Sequence, residues 1–274
     1  MPFKSLERKI SYFLKRIIEY PLVELYDQKI DDYKINKFVI PKDIYQTWEN
    51  NLFGKSHYKE IIKFRSVNNS YNFFLFDKEK RDNYMKNNWA NHEIYNVYTN
   101  SKFGQMKADI FRYCILYERG GYYFDISKGC NVPLDSLHKK DTEVFLSNEP
   151  IECIIPPDKK IFNKLKHPWN NFLQWGLGFK KKHLILEMII DAIVNDYSSY
   201  VGVNFYKPKI AILSLTGTGQ FTKIVREYIK VHGIDNLQQS GIYFEGKGIF
   251  SMKGSSVRHH LIKEYADIRN QSIL

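Results

Sequence analysis

Cysteine is scarce in this chain, and long apolar runs are missing. Among 274 residues only Cys114, Cys130 and Cys153 carry thiols. Their number and spacing exclude a disulfide framework and a zinc motif, and they fit a reducing compartment. No segment approaches the roughly 18–20 consecutive apolar residues that a spanning helix needs, so no transmembrane helix is predicted. The N-terminus is too charged for a secretory signal, which points to a cytoplasmic protein. No internal repeat or low-complexity tract occurs, and no recognisable nucleic-acid-binding module, so nucleic acid is not the expected partner. What is present is a foldable chain. Hydrophobic residues make up 43% and aromatic residues 16%, which argues against disorder. Lys and Arg number 41 against 30 Asp and Glu, a net charge of +11 that suits an anionic partner such as a nucleotide diphosphate or an acidic lipid.

The stretch from Ser101 to Asp125 carries the most information. Ala108, Ile110, Phe111, Ile115 and Leu116 recur at helical spacing. Gly120-Gly121 breaks the helix in the manner of a C-cap, and Tyr122-Tyr123-Phe124 favours a strand. Asp125 follows that strand, where open α/β sheets bind their ligands. Asp109 and Arg112 are three residues apart and share a helix face, so two carboxylates and a guanidinium can converge on one polar ligand. Cys114 lies inside the apolar helix as a small core residue.

These residues resemble the donor-binding core of glycosyltransferase family 32, which is similar to the glucosylating domains of large clostridial toxins. Two further stretches share the resemblance: Pro41-Lys42-Asp43-Ile44-Tyr45-Gln46-Thr47-Trp48, and Thr216-Gly217-Thr218-Gly219-Gln220-Phe221-Thr222. The resemblance implies an α/β fold of the GT-A type, with a Rossmann-like nucleotide-binding sheet. It also implies retaining hexosyl transfer from a nucleotide sugar, with a UDP-sugar favoured over a GDP-sugar. Asp109 would bind hydroxyls of the transferred sugar, Arg112 would steady the sugar or the diphosphate, and Trp48 would stack on the base. Thr216, Gly217 and Thr218 would add donor contacts at a helix N-terminus, where the threonines can equally act as caps. In the family the strand ends in D-x-D, and both acids hold a divalent metal, Mn or Mg, against the diphosphate. Here the second acid is replaced: the chain reads Asp125-Ile126-Ser127. A hydroxyl is a weaker ligand than a carboxylate for a hard cation. His259 or His260 could supply the missing ligand. The glycine-rich turn at Gly217 lacks the lysine of a P-loop, which excludes an ATPase of that class.

Elsewhere the pattern alternates strand and helix, which predicts a largely parallel sheet. Lys37–Ile40 reads as the first core strand, 57–66 as a helix and Tyr71–Phe76 as a strand. Asp77 is the expected cap of a helix over 78–89. Glu143–Ser147 reads as a strand leading to Glu149, a carboxylate that can face donor or acceptor. Residues 155–168 read as a loop, and 183–197 and 221–230 as helices. Residues 1–35 read as a helical lead-in, and 36–274 as a single domain. Within the lead-in, residues 3–18 form a basic amphipathic pattern. Such a helix can lie on an anionic membrane surface, here the inner face, or pack against protein. The expected acceptor is a glycan or lipid-linked glycan in capsule or lipopolysaccharide synthesis. The alternatives are a protein-modifying transferase and a non-catalytic sugar-nucleotide- or glycan-binding subunit.

Overall fold

A computed structural model describes residues 17–30, 38–260 and 268–274, apart from the side chains of 258–260. Its centre is a mixed sheet. The strands are β1 (Asp43–Thr47), β2 (Asn72–Phe76), β3 (Gly121–Phe124), β4 (Val144–Glu152), β5 (Asn170–Phe172), β6 (Gly176–Phe179) and β7 (Leu237–Ile242). The order across the sheet is β7-β4-β6-β3-β1-β2, with β5 paired to β4. The β1–β2, β1–β3 and β4–β7 ladders are parallel, and β6 runs antiparallel between β3 and β4. The helices are α1 (Lys55–Val67), α2 (Lys78–Trp89), α3 (Glu93–Asn100), α4 (Gly104–Arg119), α5 (Leu184–Asp196), α6 (Pro208–Leu215) and α7 (Thr218–His232).

Both faces of the sheet are covered. Tyr123 packs with α4, α5 and α7 on one face, while its neighbours Tyr122 and Phe124 pack with Ile61 and Phe64 of α1 on the other. That split follows from the two-residue period of a strand. The Gly-Gly stop behaves as expected. Gly120 caps α4 with φ +68°, and its N–H bonds to Leu116 O at 2.8 Å. Gly121 also has positive φ, and a Cβ there would lie 2.5 Å from Asp43 O. Only glycine allows β3 to enter so close beside β1. Asp77 caps α2, its Oδ1 accepting from Lys80 N at 2.8 Å. Cys114 is buried in the core.

Three expectations need correction. The first core strand is Asp43–Thr47, after Pro41; residues 38–40 form a bend, and Lys37 lies outside the described residues. Apolarity alone pointed to the wrong segment, because a strand buried on both faces need not look continuous when Gln46 and Thr47 are buried with it. Likewise neither Thr216 nor Thr218 caps α7: Gly217 is the N-cap and no side chain bonds the first turn. Of the lead-in read as helical over 1–35, residues 1–16 and 31–35 lie outside the described residues; of the rest only 17–19 are helical, and Val23–Glu24 pairs as a strand with Leu52–Phe53. Among the described residues no helix is long and apolar enough to cross a membrane.

Candidate active site

A cleft of about 580 Å³ opens along the carboxyl edge of the parallel strands. Its lining follows from the topology. β1 ends into Thr47, Trp48 and Glu49, β3 ends into Asp125, Ile126 and Ser127, and the outer half of β4 carries Glu149. β6 runs the other way, so the residues before it, Gln174 and Trp175, reach the same edge. α4 begins at this edge, and one face of it supplies Asp109 and Arg112.

Arg112 organises the centre. Its Nη2 lies 3.0 Å from Asp109 Oδ1 and 3.3 Å from Asp125 Oδ1, and its Nη1 donates to Gln174 O at 2.8 Å. The guanidinium sits over the Tyr123 ring, 4.5 Å from its centroid. Burial opposes the charge, but Tyr123, Asp109 and Asp125 outweigh it and hold Arg112 above its ordinary pKa. Its Nε has no hydrogen-bond partner among the described residues. A planar fork reaching two carboxylates and a carbonyl is a task that lysine cannot reproduce.

Asp109 is buried beside it. Thr216 Oγ1 donates to Asp109 Oδ2 at 3.0 Å. Burial raises the Asp109 carboxyl to about 7, even though Arg112 and Thr216 pull it down. Thr216 is fully buried and therefore acts on the cleft through Asp109. Thr218 lines the cleft directly. Gly217 has a packing role, since a Cβ there would fall 2.6 Å from Leu213 Cα. Glu149 is pushed up to about 7 by burial, with Lys128 opposing and Asp125 reinforcing the shift.

Three participants were not singled out in the sequence. Arg81, nearly fully buried in α2, spans Thr47 Oγ1 at 3.2 Å, Tyr98 OH at 3.2 Å and Glu49 Oε1 at 3.4 Å. Gln174 donates to Tyr113 OH and, at 2.9 Å, to Thr216 O, which ties the β6 approach to the Asp109 helix. Trp175 forms part of the wall. Gln174 and Trp175 fall in Asn170–Phe179, a glycine-bearing apolar stretch that the family resemblance loosely implies at the donor or acceptor side, whereas no local pattern marks Arg81. His259 and His260 close a 3₁₀ turn, Ser255–His260, and their side chains lie outside the described residues.

No cluster of three His, Cys, Asp or Glu suited to a metal occurs among the described residues. The pair that is present, Asp125 with Ser127 on one wall, fits a hard cation that takes most of its ligands from a diphosphate and water.

With this geometry in view, the comparison with known proteins is direct. Residues 54–144 match the family described as a glycosyltransferase sugar-binding region containing a DXD motif. Over this third of its length the chain is similar to glycosyltransferase family 32. The family match spans Asp109, Arg112, Asp125 and Ser127. An initiation-specific alpha-1,6-mannosyltransferase of Candida albicans is 26% identical over 223 residues, covering 76% of this chain and 56% of the relative. Inositol phosphoceramide mannosyltransferase 1 of Schizosaccharomyces pombe is 31% identical over 115 residues, covering 41% of this chain and 35% of the relative. This chain thus spans little more than half the length of the first relative and about a third of the second. The solved PaToxG glycosyltransferase superposes with a TM-score of 0.51 at 13% identity, over 97% of this chain and 98% of that one, which shows a shared GT-A-type fold.

Proposed function

We propose that this chain transfers a hexosyl group, with mannose the favoured sugar, from a nucleotide-sugar donor to a hydroxyl of a glycan or glycolipid, retaining anomeric configuration. The observation that carries the reading is the buried Arg112 held between Asp109 and Asp125 at the sheet's carboxyl edge, with Ser127 beside them. The names of the relatives support mannosyl transfer, and with mannose as the sugar the donor we favour becomes a GDP-sugar in place of the UDP-sugar expected from sequence. They also name an inositol phosphoceramide acceptor, which favours a glycan or glycolipid over capsule or lipopolysaccharide.

The physical demand of the reaction is to stabilise the leaving diphosphate. The bond between the anomeric carbon and the phosphate oxygen breaks, its electron pair stays on the diphosphate, and a bond forms to the acceptor oxygen, whose proton passes to a diphosphate oxygen. Arg112 supplies a fixed positive charge in a site where water is scarce, so its attraction is strong. Asp109, oriented by Arg112 and Thr216, accepts hydrogen bonds from sugar hydroxyls. Trp48 offers a ring face to the base. Asp125 and Ser127 would hold a divalent cation. Such an ion, when bound, neutralises charge on the diphosphate.

Binding and hydrolysis of a panel of GDP- and UDP-sugars, with and without Mn²⁺, tests this reading. Release of one nucleotide from one donor is expected. Asp125→Ala should lose transfer while its unfolding midpoint stays that of the parent. Near-normal turnover by that variant would remove the central claim. Nucleotide binding with no turnover on any acceptor would instead favour a non-catalytic subunit, the reading that Ser127 in place of an acid supports.

A further inference from the structure

The end of β4 and its connection to β5 carry an apolar tip that the active site does not use. Ile154 is 97% exposed and Ile151 61% exposed, and Ile155 is also exposed. Trp169, at the returning limb, is 50% exposed, with the Phe162 ring set edge-on to it at 6.0 Å between centroids. Single exposed aliphatics are ordinary on protein surfaces, but a cluster of this kind on one loop is not.

The loop is held in place. Cys153 N donates to Trp169 O at 2.7 Å, joining its two limbs. Arg226 of α7 donates to Ile155 O at 2.5 Å and to Pro168 O at 2.6 Å, fixing both limbs to the body of the protein. Pro156 and Pro157 stiffen the turn that follows. The isoleucines are therefore presented outward by a braced element.

Charge decides between candidate partners. Lys159, Lys160 and Lys164 are exposed on the same connection and make no ion pair with a described residue. Asp158 is neutralised by Lys230 at 2.7 Å. Glu152 is the one exposed acid next to Ile151, against these three exposed lysines on the same connection. Lysine is depleted in the cores of protein–protein interfaces, whereas lysines beside aliphatics and an indole suit the boundary between anionic headgroups and acyl chains. We infer that the Ile151–Trp169 loop docks the protein on an anionic lipid surface, inserting Ile154 and its neighbours below the headgroups. Glu149 lies two residues before Ile151 and lines the cleft, so docking here brings the cleft mouth to the lipid. The inference does not depend on which sugar is transferred. Its failure would leave donor binding untouched.

The test is co-sedimentation of the full chain with vesicles of phosphatidylcholine, with and without phosphatidylserine. Binding should require the anionic lipid. Ile151→Asp/Ile154→Asp should lower partitioning at least about tenfold, since each buried aliphatic carbon contributes to insertion. Lys159→Glu/Lys160→Glu should weaken it by about fivefold or more for each lysine. Trp169 emission should shift to the blue on binding and be quenched by brominated lipid, and Trp169→Phe should remove that signal. Unfolding midpoints and donor hydrolysis in free solution should stay unchanged in the loop variants. Parent-like binding by the double aspartate variant, with loss confined to Leu6→Asp/Ile10→Asp in the basic lead-in, would overturn the proposal. No vesicle binding by the parent, together with self-association abolished by Ile154→Asp, would reassign the patch to a protein interface.

Discussion

Asp109→Asn should change how stability depends on pH, in a direction that burial dictates. The carboxyl of Asp109 is raised from 3.8 to about 7 in the folded chain. Between those values the native state keeps a proton that the unfolded state has lost. Stability then falls as pH rises, and it levels off above the folded pKa. One retained proton gives a slope of about 1.4 kcal/mol per pH unit. Glu149, raised to about 7 by the same cause, contributes a slope of the same sign. The two groups together give at most about 2.7 kcal/mol per pH unit between roughly pH 5 and 6.5. Asn at 109 keeps the shape and an acceptor for Thr216 but cannot ionise, so it should remove about half of that slope. Asp109→Asn/Glu149→Gln should be nearly flat over the same window. Urea unfolding at half-unit pH steps from 5 to 8 measures this directly. A parent-like slope in Asp109→Asn would mean that Asp109 titrates at an ordinary carboxylate value, and the reading of a desolvated centre around Arg112 would fall with it. The same variant should lose sugar transfer.

Two further outcomes follow from local geometry. Ser127→Asp should tighten Mn²⁺ binding in the presence of nucleotide by about tenfold, since it restores a second carboxylate next to Asp125; unchanged affinity by calorimetry would mean that position 127 does not meet the cation. Gly121→Ala should destabilise the fold by about 2 kcal/mol or more, because positive φ and a carbonyl 2.5 Å from the new Cβ both oppose it; a thermal midpoint within a degree of the parent would refute the claim that β3 needs glycine to reach β1.

The helix–Gly-Gly–strand–Asp125 block was legible because each part rests on local rules. Helical periodicity places Asp109 and Arg112 on one face, Gly120 adopts the left-handed cap, and three aromatics in a row favour extension. Asp77 as a cap and the helices at 78–89 and 183–197 were readable on the same grounds. The Lys37–Ile40 strand was misread because that segment is apolar, while the true β1 owes its place to two parallel neighbours that bury even Gln46. Thr216 shows the same limit. Locally it reads as a cap for the following helix, yet its hydroxyl goes to Asp109, 107 residues away in the chain.

Sequence by itself therefore determined the class of fold, the family resemblance and the charged trio at its centre, since spacing within one helix and the strand after it sets the trio's positions. Tertiary structure decided much of what surrounds the trio. Gln174 and Trp175 enter because β6 runs against its neighbours, and Arg81 because α2 packs beside β1. It also decided the protonation of Asp109 and Glu149, because desolvation depends on the whole cleft wall and no stretch of neighbouring residues encodes it.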